Sequence, residues 1–283
     1  LSTVSDAPPA VLAADVGNSR IKYGWFAPAE QGPPTWPECR EFTVTPLEAP
    51  VPIEQLRRWQ SGGKGWLILA GSNPRVVERV AREWEAASRQ RAWVLRQRSA
   101  LPLTIAVESP ETVGLDRLLN AVAVNVLRPR ERAAIVVDSG TATTVDLITA
   151  EGAFAGGAIL PGLALSAQAL HHYTALLPLL TLADLGPDLP APLGRNTRGA
   201  LRSGIYWGQV GAIRELISAF CTAQGLPSPW GASAALSPWL LFTGGGAPWL
   251  SAQFPGVRQI PSLALHGLVL TAWSQPALFE EWQ

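Results

Sequence analysis

Hydrophobic positions fall into two patterns along this chain, short unbroken runs and a three-to-four spacing, and the two alternate. Val11 to Ala14 and Ile21 to Phe26 are runs on either side of a polar bend, which predicts a hairpin of two buried strands. Residues 28 to 37 hold four prolines in a polar stretch, and Thr43 to Pro52 is punctuated by proline again; both read as loops. Trp66 to Ala70 predicts a strand ending in the polar mouth Gly71-Ser72-Asn73. From Arg75 to Arg89, Val76, Val77, Val80 and Trp84 recur at helical spacing with charges opposite. Pro74 starts this helix and Asn73 caps it. Ala92 to Leu95 returns to strand.

The second half repeats the theme. Leu115 to Leu127 is apolar on most sides and predicts a buried helix, ended by Pro129. Ala133 to Asp138, Thr143 to Thr149 and Ala153 to Leu160 predict a three-strand meander. Leu163 to Leu176 reads as a helix stopped by Pro178, residues 183 to 196 as a proline-rich loop, and Thr197 to Phe220 as a second helix. Trp239 to Thr243 is a strand running into Gly244-Gly245-Gly246, and Leu263 to Trp273 is a closing helix. Antiparallel hairpins followed by alternating strands and helices predict an α/β fold. Two copies of that order place a ligand in the cleft between them.

Composition narrows the function classes. The 283 residues suffice for two domains, and 47% hydrophobic against 16% charged supplies a sizeable core. A formal net charge of zero argues against a nucleic-acid footprint or a broad membrane-binding surface. No run of 18 apolar residues predicts a transmembrane helix. Leu1 to Ala10 has no basic region and holds two prolines, so no secretory signal is expected. Cys39 and Cys221 are too few for a disulfide framework or zinc site, and His171, His172 and His266 lack metal-ligand spacing. The twelve tryptophans form no stripe and read as packing. The expectation is a cytoplasmic protein.

The chemistry lies at the bends. Asp15-Val16-Gly17-Asn18-Ser19 and Asp138-Ser139-Gly140-Thr141-Ala142-Thr143 each place a carboxylate with small polar residues between two strands. Glycine lets backbone approach a ligand closely, and successive N–H groups at such a bend make an anion nest. A plain hairpin turn uses the same residue types. The second copy, with Thr141, Thr143 and Thr144 near Asp138, carries more hydroxyls than a hairpin needs. Gly114-Leu115-Asp116-Arg117 opens the buried helix, where backbone N–H groups favour anions. Asp116 reads as a general base and Arg117 as a phosphate or carboxylate clamp. The competing reading is an acidic residue that stabilises the helix end by up to ~1 kcal/mol. Gly244-Gly245-Gly246 after a strand admits a flat adenine ring or a phosphate.

Together these segments resemble the type III pantothenate kinase family of the acetate/sugar kinase, Hsp70 and actin superfamily. The matching stretches are DVGNSRIKYG at 15–24, GLDRLLNA at 114–121, DSGTATTVD at 138–146, GGAILPG at 156–162, ALHHYTALLP at 169–178, GRNTRGALRSGIYWG at 194–208 and TGGGA at 243–247. They run in family order; residues 25 to 100 match only loosely. The resemblance implies duplicated ribonuclease H-like (actin-like ATPase) domains with mixed sheets and an interdomain cleft. The N-terminal domain would span 11–117 and the C-terminal domain 118–283. It implies ATP-dependent phosphorylation of the primary hydroxyl of pantothenate, opening coenzyme A synthesis, by a homodimer.

By position, the resemblance makes Asp15, Val16, Gly17, Asn18, Ser19, Arg20, Ile21 and Lys22 the first phosphate loop, with Asp15 near Mg²⁺ through water. Thr141 would contact ATP from the second loop, and Gly244 and Gly245 would border the adenosine. Gly114, Leu115, Asp116 and Arg117 would line the pantothenate site, with Asp116 as the base. Thr197 would hydrogen-bond pantothenate, and Asp138 would hold a monovalent cation, potassium or ammonium. Two positions depart from the family pattern. Val107 stands where a tyrosine is frequent, and Ser19 where threonine is usual. Gln168, His171 and His172 fall on the helix after the Pro161-Gly162 turn, with Gln168 a candidate polar contact. Two alternatives stay open: a nucleotide-binding regulator without catalysis, of the transcription accessory type, and a kinase of another small hydroxy acid.

Overall fold

The computed structural model describes residues 8–28, 36–60, 66–186, 188–230, 236–275 and 277–278. The chain forms two compact units, one of residues 1–104, 108–127 and 262–283, the other of residues 105–107 and 128–261. The first unit contains β1 (Val11–Val16), β2 (Arg20–Pro28), β3 (Pro37–Pro46), α1 (Ile53–Trp59), β4 (Leu67–Gly71), α2 (Pro74–Ser88), β5 (Ala92–Val94) and α3 (Leu115–Leu127). The second contains β6 (Ala134–Ser139), β7 (Ala142–Ile148), β8 (Phe154–Pro161), α4 (Leu163–His172), α5 (Leu182–Leu185), α6 (Thr197–Ala223), β9 (Trp239–Thr243), α7 (Ala247–Leu250) and β10 (Arg258–Gln259). The chain then returns to the first unit as α8 (Leu263–Trp273).

Each unit is built on the same five-stranded mixed sheet. The first has the order β3-β2-β1-β4-β5, with β1, β2 and β3 antiparallel and β4 and β5 parallel to β1. The second has β8-β7-β6-β9-β10 with the same directions in the same places. This is the duplication read from the two hairpins. The central strands β1 and β6 read as continuous apolar runs because neighbours flank them and helices cover the sheet faces. Leu12, Ala14, Val16, Leu67 and Leu69 pack on Val77, Val80 and Trp84 of α2. In the second unit Ile135, Val137, Val145 and Phe242 pack on Tyr206, Val210, Ile213 and Ile217 of α6.

Helix α2 starts as expected: the Asn73 side chain accepts the Val76 N–H at 3.3 Å, with Pro74 in the first turn. Helix α8 is buried from Leu263 to Ala272, so it shows no polar face. Its Gly267 backs onto the Leu119 carbonyl of α3, where a Cβ would collide.

Several elements depart from the sequence reading. β3 occupies residues expected to be loop at both ends. It is an edge strand exposed from Glu38 to Phe42, so it lacks the alternation that marks a half-buried strand. Its prolines sit at its two ends, where an edge strand tolerates them. Of the loop read at 28–37, residues 29–35 lie outside the described residues. α1 follows within the stretch after it and buries only Leu56, too little for a periodic signal. Arg79 of α2 donates to the Leu47 and Ala49 carbonyls and Glu83 accepts the Val51 N–H, which fixes the intervening segment.

Helix α4 ends at His172 rather than Leu176, and the chain turns there as His171 Nδ1 meets the Leu177 carbonyl at 2.8 Å. The loop read at 183–196 begins inside α5, whose Thr181 and Asp184 form a reciprocal capping box. The compact units divide after Leu127 rather than at residue 117, and the C-terminal helix joins the first unit rather than the second. The reason is packing: α3 and α8 contact each other and the first sheet.

Candidate active site

In the first unit the bend after β1 is a tight hairpin. Asp15 pairs with Lys22 and Val16 with Ile21 across the strands, and the Gly17 N–H donates to the Arg20 carbonyl at 3.0 Å. Asn18, Ser19 and Arg20 are exposed at the tip. Asp15 is only 5% exposed, and Lys22 Nζ lies 3.4 Å from its Oδ2. The end of β4 closes against this loop. The Ser72 N–H donates to the Val16 carbonyl at 3.0 Å, and a side chain at Gly71 would strike Val16.

Also in this unit, Gly114 precedes α3, whose first three residues are Leu115, Asp116 and Arg117; all four are half-buried. Asp116 Oδ1 accepts the Arg117 N–H at 2.9 Å. The carboxylate folds back over Gly114 so closely that a Cβ there would stand 2.5 Å from Oδ1. Glycine is therefore required for this carboxylate position, a link the motif does not show by itself.

In the second unit the β6–β7 hairpin pairs Asp138 with Thr144 and Ser139 with Thr143, and the Gly140 N–H donates to the Ala142 carbonyl at 2.9 Å. Thr141 is exposed at the tip. Gly162 at the end of β8 packs on the Gly140 and Thr141 carbonyls and donates to the latter at 3.0 Å. The glycine turn after β9 abuts the same hairpin. Gly244 has φ +87°, and a Cβ on it would stand 2.5 Å from both Asp138 Oδ1 and the Ser139 carbonyl. The Gly246 N–H donates to that carbonyl at 2.9 Å. The structure thus brings together Asp138, Thr141 and Gly244, with Gly245 exposed beside them.

Behind this hairpin lies a buried polar chain that the sequence reading missed. Thr143 Oγ1 lies 3.4 Å from Ser139 Oγ and 3.5 Å from Gln209 Oε1 on α6. All three residues are buried. The available signal was a glutamine on the apolar face of a long helix. Past the glycine turn, Pro248 and Trp249 help line a cavity of about 270 Å³ with Leu163, Arg202, Tyr206 and Gln253. The Tyr206 hydroxyl donates to the Trp249 carbonyl at 3.0 Å, and Arg202 donates to the Leu185 carbonyl, so these two side chains are held in place.

The remaining expected residues are divided between the units. Thr197 is the first residue of α6 and is exposed; Asn196 caps the helix by accepting the Gly199 N–H at 2.8 Å. Val107 comes two residues after Ile105, which bridges to Phe154, and it lies beside Gly156, 3.5 Å from where a Cβ would be. Val107 and Thr197 belong to the second unit, whereas Gly114 to Arg117 belong to the first. Gln168, His171 and His172 are exposed on α4, with His172 edge-on to Tyr173 at 4.7 Å.

Two units of one topology, each with a glycine-bearing acidic hairpin after its first strand, define the duplicated ribonuclease H-like fold of the actin-like ATPases. A sequence profile of type III pantothenate kinase matches residues 11–219. A type III pantothenate kinase from Ruegeria sp. (strain TM1040) is 33% identical over 235 residues, 81% of this chain and 86% of that protein. One from Sphingopyxis alaskensis is 31% identical over 266 residues, 92% of this chain and 96% of that protein. Among solved structures, a conserved Baf family protein from Campylobacter jejuni aligns with a TM-score of 0.57 at 19% identity, covering 95% of this chain and all of that one. That likeness concerns the fold. The chain belongs to the type III pantothenate kinase family.

Proposed function

We infer that this chain transfers the γ-phosphate of ATP to the primary hydroxyl of pantothenate, the first step of coenzyme A synthesis. Family membership over residues 11–219 carries the reading. The residues support it. A primary alcohol is a poor nucleophile until its proton leaves, and Asp116 is a carboxylate at a helix N-terminus, held in one orientation by Gly114 and the Arg117 N–H. As the hydroxyl oxygen bonds to the γ-phosphorus, its proton passes to Asp116 and the bond to the leaving ADP oxygen breaks. Arg117 neutralises phosphate charge or the pantothenate carboxylate. Phosphoryl transfer asks for little beyond such positioning and neutralisation.

Asp15 to Lys22 form the first phosphate loop, with Asn18 and Ser19 exposed at its tip. Thr141 serves the same purpose in the second. Gly244 and Gly245 border the adenosine, and the adjoining 270 Å³ cavity with its Pro248 and Trp249 walls suits a flat base. Thr197 and Val107 contact pantothenate, Val107 without the hydroxyl a tyrosine would bring.

Among the described residues no three His, Cys, Asp or Glu side chains gather as a metal cage. That suits Mg²⁺ carried on nucleotide phosphates with Asp15 reached through water. Asp138 offers a carboxylate oxygen against the Gly244 backbone, hard donors of the kind that hold potassium or ammonium. When bound, these ions offset polyphosphate charge. The reading includes a homodimer acting in the cytoplasm. Leu176, Tyr173 and Leu193 of the second unit are apolar side chains at 91%, 82% and 76% exposure, of the kind a second copy would cover.

The test is ADP release with ATP, Mg²⁺ and pantothenate, with and without potassium or ammonium. Pantothenate-dependent turnover that needs the monovalent ion is expected, and Asp116→Asn should lower kcat by about 10²–10⁴-fold. Folded, ATP-binding protein that never turns over pantothenate refutes the reading.

A further inference from the structure

An arginine that no motif marks holds the approach to Asp116. Arg98 opens a single 3-10 turn, Arg98–Ala100, in the first unit. Its Nε and Nη2 both donate to the Val113 carbonyl, at 3.2 and 2.7 Å. Val113 is buried and immediately precedes Gly114. The turn carrying Arg98 is itself tied down from a distant part of the chain. Gln275 Nε2 donates to the Ala100 carbonyl at 2.9 Å. Gln275 lies two residues past α8, whose Trp273 Nε1 donates to the Pro9 carbonyl at 3.0 Å. A helix buried on all sides therefore anchors the turn, the turn anchors Arg98, and Arg98 anchors the entry to α3.

This clamp bears on the carboxylate three residues further along. Asp116 Oδ1 sits directly over Gly114, and the backbone there has the freedom of glycine. Rotation at the Val113–Gly114 peptide would turn the first residues of α3 and move the carboxylate. Two charge-assisted bonds from one planar guanidinium to one carbonyl oppose that rotation. A lysine supplies a single point donor on a flexible stem and constrains the peptide less.

We propose that Arg98 is a positioning residue for Asp116, acting through the Val113 carbonyl to hold the Gly114 peptide that aims the carboxylate. The proposal rests on Asp116 being the base of the kinase reaction. Arg98 itself contacts backbone and no reacting atom.

The experiment is a double-mutant cycle on the full chain. Arg98→Ala and Arg98→Lys are made alone and with Asp116→Asn, and kcat, KM for ATP and KM for pantothenate are taken from ADP release, with melting temperature alongside. Arg98→Ala should lower kcat by roughly 10- to 100-fold, the scale of a misplaced reacting group, with KM for ATP almost unchanged. Arg98→Lys should recover part of that loss. With Asp116→Asn, where the group being aimed is gone, Arg98→Ala should cost less than about twofold further, a non-additivity expected only of coupled residues.

Equal fold-losses in both backgrounds overturn the proposal, as does a wild-type kcat for Arg98→Ala beside an inactive Asp116→Asn. If Arg98→Ala does not fold, the cycle is run with Arg98→Lys, and the same two outcomes decide. Wild-type turnover by Asp116→Asn removes the base assignment and this proposal with it, so the two failures are distinguishable.

Discussion

Of two adjacent glycines, one should tolerate substitution by alanine and the other should not. Gly244 has φ +87°, and a Cβ on it would lie 2.5 Å from both Asp138 Oδ1 and the Ser139 carbonyl. Gly245 has no such positive φ, and a Cβ on it meets nothing within 4 Å. For Gly244→Ala two costs add. A non-glycine residue at positive φ is strained by about 1–2 kcal/mol. The forced shift of Asp138 or the Ser139 peptide is an overpacking cost of about 1–3 kcal/mol. The sum, roughly 2–5 kcal/mol, is a large part of the 5–15 kcal/mol that holds a typical domain together. A fall in melting temperature on the order of 10 °C should result. Gly245→Ala should stay within ~0.5 kcal/mol of the parent. Calorimetry of the three proteins reads the difference. Because the clash falls on Asp138, Gly244→Ala should also raise KM for ATP and the potassium needed for half-maximal turnover. Equal stability and equal kinetics for the two variants would refute the close packing of the glycine turn on the acidic hairpin.

His266 of α8 stacks on Trp36 at 4.7 Å and meets Phe26 edge-on at 5.1 Å; burial pushes its pKa down to about 4. The unfolded chain takes up that proton near pH 6.5, so between these values it binds more protons than the fold. Stability should therefore fall as pH drops from about 6.5 to about 4, by roughly 3 kcal/mol, and His266→Phe should flatten that part of a melting-versus-pH curve. Gln209→Leu leaves Thr143 and Ser139 without their helix partner and should destabilise by about 1–3 kcal/mol, read by urea unfolding. Val107→Tyr supplies a hydroxyl beside Gly156 and should lower KM for pantothenate several-fold, the scale of one hydrogen bond, with KM for ATP unchanged.

The parts of this fold that were legible in sequence are those buried on a regular period. β1, α2, α3, β9 and α8 bury either a whole run or one clear stripe, and their bounds fall within two residues of the reading. β3 and α1 were not legible because an edge strand with exposed faces and a helix burying one leucine leave no periodic trace. The site divides in the same way. Asp15, Asp116, Asp138 and Gly244 sit in local turns whose chemistry is written in neighbouring residues. Arg98 and Gln209 act across 15 and 66 positions, on a carbonyl and a hydroxyl whose places depend on tertiary packing. No local spacing announces such partners.

The duplicated topology also separates the roles of the two acidic hairpins. Asp15 and Asp138 occupy equivalent places, each one residue before the end of its unit's central strand. Their cross-strand partners differ: Lys22 stands opposite Asp15, and Thr144 stands opposite Asp138. Side chains paired in this way share a sheet face with Cβ atoms about 5 Å apart. The first carboxylate thus has a built-in ammonium 3.4 Å away. The second has a threonine whose buried Oγ1 finds no hydrogen-bond partner among the described residues. On the proposed reading the monovalent cation binds at the second hairpin, where a threonine rather than a lysine stands opposite the carboxylate. The equivalence gives a direct test. Thr144→Lys places at Asp138 the group that Asp15 already has, and the ratio of turnover with potassium to turnover without it should fall towards one. A folded Thr144→Lys enzyme that keeps the parent's potassium ratio would show that the cation sits elsewhere, and that the asymmetry between the hairpins does not govern where it binds.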